Sequence, residues 1–165
     1  MGVLCEVFIA DRYRALKYNF EGECKCKSGR SCKCWDKYAS ETYDRVESHR
    51  VYDHDFAQLL SILRGKKHKD SVIKEFKMIK QFSEEGPWIQ KVPADLPTLL
   101  VELPKEELKS IAKTWSELKN EASPIPTETT NIKPNKLIRD YLKLLRKLCK
   151  KSVETELSMY LWTCL

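Results

Sequence analysis

The chain has 165 residues and carries 30 Lys+Arg against 24 Asp+Glu, a net charge of +6. Hydrophobic residues make up 42% and charged residues 33%, a balance that excludes global disorder, collagen-like repeats and a membrane span. A chain of this length suffices for one compact domain whose core needs neither metal nor disulfide to exist.

Residues 3–9 alternate weakly and are rich in β-branched and aromatic side chains, which predicts a strand. Glu6 interrupts this short apolar run, so it does not read as a secretory signal. No other run approaches the ~20 apolar residues that cross a bilayer, and the expected location is cytoplasmic. Residues 11–18 read as a short helix or turn, 21–35 as a cysteine-rich loop, and 43–52 as a second strand. Asp53 is the expected N-cap of a helix over 54–64, with Phe56, Leu59, Leu60 and Leu63 at helical spacing and Gly65 as its stop. Residues 72–82 fit both periods. The turn Glu84-Glu85-Gly86-Pro87 and the apolar stretch 88–92 favour a β-hairpin.

Leu96, Leu99, Leu100 and Leu103 mark a short helix. Pro104 is the expected start of the next, with Leu108, Ile111, Ala112, Trp115 and Leu118 on its buried side. Residues 120–133 form a Pro/Thr-rich polar connection, either mobile or functional. Pro134 opens a strong helix to about residue 151, and residues 157–165 read as a closing strand. Strands and helices are largely segregated, which predicts a single α+β domain: a mostly antiparallel sheet packed by about four helices.

Four of the seven cysteines fall in Cys24-Lys25-Cys26 and Cys32-Lys33-Cys34. In extended chain, residues i and i+2 share a face, so each pair presents both sulfurs together. Folded back near Gly29, Cys24, Cys26, Cys32 and Cys34 are candidate ligands of one structural Zn²⁺. Lys25, Lys27, Arg30 and Lys33 would favour the thiolates. Free thiols, a disulfide or redox switch, and another soft metal are the alternatives. Cys5, Cys149 and Cys164 lie among apolar residues and read as buried, inert thiols.

Between Lys133 and Lys151, eight cations face one acid, Asp140, a net +7 that exceeds that of the whole chain. On a helical projection Leu137, Ile138, Tyr141, Leu142, Leu144, Leu145, Leu148 and Cys149 fill one arc, read as the buried one. Lys136, Arg139, Lys143, Arg146, Lys147 and Lys150 fill the other. An ordinary solvated face mixes signs; this one does not. It is either a plain amphipathic surface or a docking face for an anionic partner. Residues 64–80 add a second basic run, seven cations against two acids, while 84–128 carry nine acids against five cations. Charge lies in blocks, and a polarised surface steers partners.

Asp53-His54-Asp55 beside Tyr52 is the one arrangement that could orient an imidazole as a base. A histidine flanked by acids is more often a helix-start cluster open to water, and that is the expected reading. With no phosphate-cradling glycine loop, nucleophile elbow or zinc-protease helix motif, an enzyme is the less expected class. The leading expectation is a protein-interaction module of inhibitor or immunity type, docking an acidic protein through the basic helix. A zinc-containing nucleic-acid binder making phosphate contacts is the alternative, and a thiol-redox or metal-handling protein the lesser one. Helix-turn-helix and RNA-recognition signatures are absent. The aromatics interleave with apolar positions, Trp35 and Trp88 excepted. Neither a membrane nor a small-molecule substrate is inferred.

Overall fold

A computed structural model describes residues 4–18, 42–49, 51–67, 70–84, 87–122 and 134–164. Strand β1 (Leu4–Ala10) pairs on one side with β2 (Asp44–His49) and on the other with β5 (Ser158–Cys164). Strand β4 (Trp88–Lys91) joins the far edge of β5, and β3 (Lys77–Gln81) closes the sheet beyond it. The order is β2-β1-β5-β4-β3, with every pairing antiparallel. The two strands furthest apart in sequence therefore lie side by side at the centre, with Val7 opposite Leu161 and Phe8 opposite Tyr160.

Among the described residues there are five α-helices: α1 (Arg12–Ala15), α2 (Asp53–Leu63), α3 (Asp95–Glu102), α4 (Leu108–Ala122) and α5 (Pro134–Thr155). A 3₁₀ turn spans Asp70–Glu75. The fold is α+β with an antiparallel sheet, as the segregation of periods predicts. The hairpin of β3 and β4 is present, with a register shift between Met78 and Lys80. The mixed periodicity of residues 72–82 has a structural cause: residues 72–75 belong to the 3₁₀ turn and only 77–81 to β3.

Helix α2 stops as Gly65 predicts. Its φ of +62° lies in the left-handed region, which glycine enters without the Cβ penalty of other residues. The Gly65 N–H reaches Ile62 O at 2.9 Å and the Lys66 N–H reaches Ser61 O at 2.9 Å, a Schellman closure.

Several boundaries differ from expectation: β2 ends at His49 rather than at residue 52, and α4 runs to Ala122, into the residues read as a connection. The N-cap of α2 is Tyr52, not Asp53, because the Asp55 carboxylate reaches back to accept from the Tyr52 N–H at 2.8 Å. Pro104 opens a turn rather than a helix: the N–H of Glu107 returns to Pro104 O, and α4 begins at Leu108. Helix α5 runs four residues past Lys151, to Thr155.

Strand alternation feeds two interiors. Cys5, Val7, Ile9, Met159 and Leu161 point to the face that α2 to α5 cover. There they meet Phe56, Leu60, Leu96, Leu100, Trp115, Leu142 and Leu145. Phe8, Ala10, Tyr160 and Trp162 point to the other face, where Ala15, Tyr18 and Tyr43 pack with Ile89.

Candidate functional site

Cys24, Cys26, Cys32 and Cys34, the candidate zinc ligands, lie outside the described residues, as do Trp35 and most of the 120–133 connection. Both flanks of the cysteine-bearing segment are anchored to the second face of the sheet. Tyr18 stacks on Phe8 with ring centroids 3.6 Å apart and planes 6° from parallel. Tyr43 meets both rings edge-on, at 5.7 Å and 4.8 Å. The Tyr43 hydroxyl donates to Arg14 O at 3.1 Å, while the Arg14 guanidinium donates to Thr42 O. Behind this clamp Glu6 is buried and pairs with Arg45 at 2.6 Å, and the Tyr18 hydroxyl donates to the same carboxylate. Burial and the Glu6 charge push the Tyr18 phenol far above its ordinary pKa. The segment thus leaves and returns at one aromatic clamp. Among the described residues no three His, Cys, Asp or Glu side chains are grouped to hold a metal.

Cys5 and Cys149 are free thiols. Burial pushes the Cys5 and Cys149 thiols up to about 12, which keeps them protonated and unreactive at neutral pH. Cys164 is only half-buried.

The cationic helix is clearly divided. Lys136, Lys143, Lys147 and Lys150 are exposed. Lys143 pairs with Asp140 at 2.9 Å and Lys150 with Glu154 at 3.6 Å, both on the helix surface. The hydrogen bond from Lys143 holds the Asp140 carboxyl below the usual carboxylate range. No carboxylate among the described residues pairs with Lys136 or Lys147. Arg146 turns inward instead: its Nη2 donates to Val101 O at 2.8 Å and Leu103 O at 2.6 Å, satisfying carbonyls at the end of α3. Arg139 is half-buried on the flank toward α4.

The apolar arc is narrower than the projection implies. Leu137 and Leu144 are 52% and 51% exposed, and the buried stripe is Leu142, Leu145, Leu148 and Cys149. The correction has a simple cause: α5 packs as one layer over the sheet and beside its neighbours, so its outer flank meets no second layer. Leu137 and Leu144, seven residues apart, occupy one side of the lysine ridge.

The Asp53-His54-Asp55 cluster is split three ways. Asp53 accepts from Gln90 at 3.2 Å and from the backbone N–H of His54 at 2.7 Å. The His54 Nε2 meets Gln58 Nε2 at 3.1 Å. Asp55 is buried against Lys119, with Nζ to Oδ2 at 2.6 Å. Its backbone carbonyl also accepts from Trp115 Nε1 at 2.8 Å. Asp55 therefore serves α2 to α4 packing.

Sequence reasoning missed both buried ion pairs. A usable signal existed for Lys119: it follows Trp115 by four residues, on the buried stripe of α4, where a cation needs an acid. No helix of the described residues is long and apolar enough to cross a membrane. Comparison with protein-family models, curated proteins and solved structures finds no match to this chain.

Proposed function

We propose that this protein is a small non-catalytic binding module of inhibitor or immunity type, acting in the cytoplasm and docking an acidic protein through the outer face of α5. The carrying observation is the pairing of exposed Leu137 and Leu144 with the ridge of Lys136, Lys143, Lys147 and Lys150. An acidic protein surface with apolar side chains complements both halves of that face, giving steering from charge and affinity from buried leucine. A nucleic-acid backbone would use the lysines and leave the leucines without purpose.

Zinc held by Cys24, Cys26, Cys32 and Cys34 belongs to the same proposal. The aromatic clamp at Tyr18 and Tyr43 supports it, because a metal joining four thiolates would act on a segment whose ends are already fixed together. Protein purified without chelator is expected to hold about one equivalent of zinc, and Cys26→Ser to lose it with the fold retained. Metal-free native protein would remove this half of the reading.

The docking face is tested by capture from nuclease-treated lysate with three proteins: wild type, Leu137→Ser/Leu144→Ser, and Lys136→Glu/Lys143→Glu/Lys147→Glu. A partner lost from both variants supports the reading. A partner indifferent to the leucines, or one that nuclease removes, favours the nucleic-acid alternative.

A further inference from the structure

Between α4 and the first turns of α5 opens a cavity of about 560 Å³. That volume falls in the range of about 300–1,000 Å³ used for small ligands. Lys109, Lys113, Lys136 and Arg139 contribute four cations to its lining, and Glu106 is the single acid among the described lining residues. Lys113 also reaches Glu117 at 3.9 Å in a loose exposed pair. The cavity's surface is otherwise aliphatic, formed by Ala112 and the hydrocarbon stems of the cations, with Ser110 at the exposed side. Arg139 lines the same cavity and is half-buried there. A planar guanidinium matches a carboxylate in shape and charge better than an ammonium does.

We propose that the cavity between α4 and α5 binds a small amphipathic carboxylate, its apolar body against Ala112 and the lysine stems and its carboxylate on the Arg139 guanidinium. A bare inorganic anion would leave the aliphatic wall unused, and a neutral apolar molecule would leave the cations unmatched. The site shares Lys136 with the docking face proposed above, but its carboxylate-binding residue is not part of that face: Leu137 lies about 160° round the helix from Arg139, on the opposite flank of the ridge.

The test is calorimetric titration of the full chain at low salt with phenylbutyrate, phenylbutanol and butyrate. Phenylbutyrate is expected to bind about tenfold tighter than phenylbutanol, the scale of one charge-assisted hydrogen bond, with butyrate giving no detectable binding. Arg139→Gln should abolish that preference and leave phenylbutanol unaffected. Ser110→Phe, a change at an exposed position that fills the cavity, should eliminate both ligands while the circular dichroism stays that of wild type. Equal affinity for acid and alcohol, a preference that survives Arg139→Gln, binding that survives Ser110→Phe, or butyrate binding as well as phenylbutyrate would each overturn the proposal.

Discussion

The two faces of the sheet are made by alternate residues of the same strands, yet they reach burial by different means. On one face Val7, Ile9, Met159 and Leu161 meet four helices, and the interior is a broad, mainly aliphatic core with Phe56 and Trp115 set in it, where Asp55 and Lys119 form a buried ion pair. On the other, Phe8 and Tyr160 meet Tyr18 and Tyr43, and Glu6 is buried with Arg45. Here the described helical cover is the single turn of α1. A face with little helix over it can still exclude water if its residues are large, because each aromatic side chain buries some 150–250 Å². The Glu6–Arg45 pair adds register. A slip of one residue would turn Glu6 into the aliphatic core and Val7 out of it.

The largest expected effect lies on the helical face. Trp115→Ala empties the centre of that core and strands the Asp55 carbonyl, so a loss of about 3–5 kcal/mol is expected in urea unfolding. On the aromatic face the sharpest break is Arg45→Leu. Glu6 would stay buried with its Tyr18 hydrogen bond but no cation, and about 3 kcal/mol is expected from an uncompensated charge. If Arg45→Leu proves neutral while Trp115→Ala does not, the ion pair contributes nothing to the aromatic face and the contrast between the faces reduces to size of core. Tyr18→Phe keeps the stack on Phe8 and deletes only the hydroxyl that Glu6 accepts. A loss of about 1.5–3 kcal/mol is expected.

Which parts of this were legible follows from the range of the interactions. Strand alternation in β1 and β5, the Gly65 stop and the leucine spacing of α3 are local patterns, and each appears where periodicity places it. The ion pairs join residues 39 and 64 positions apart, and nothing in either local neighbourhood names the partner. The cationic face was visible as a charge block, but its division was not. Arg146 turns inward because α3 ends beside it with open carbonyls, a fact of tertiary packing. Leu137 and Leu144 fall on the apolar arc of an idealised wheel and outside the narrower stripe that a single packing layer buries.

Arg64 supplies the smallest and most specific comparison, an exposed ion-pair network set against the buried one at Glu6. Its guanidinium joins Glu75 at 2.7 Å and Asp95 at 2.7 Å, tying the end of α2 to the 3₁₀ turn and the start of α3. The hydrogen bond from Arg64 holds the Glu75 carboxyl below its ordinary value. A carboxylate whose folded pKa is depressed stabilises the fold at pH values above its unfolded pKa, near 4.5, and that contribution is lost as pH falls through the folded value. Glu75 and Asp95 are 41% and 44% exposed, so solvent screens the network and its worth at neutral pH stays below about 1 kcal/mol. Arg64→Gln removes the cause of the shift. Urea unfolding should show the variant slightly weaker than wild type at pH 7, the gap narrowing at a pH low enough to protonate Glu75. A gap that stays the same at both pH values would mean that Arg64 acts through the packing of its stem, and that charge at the edge of the helical face contributes nothing measurable.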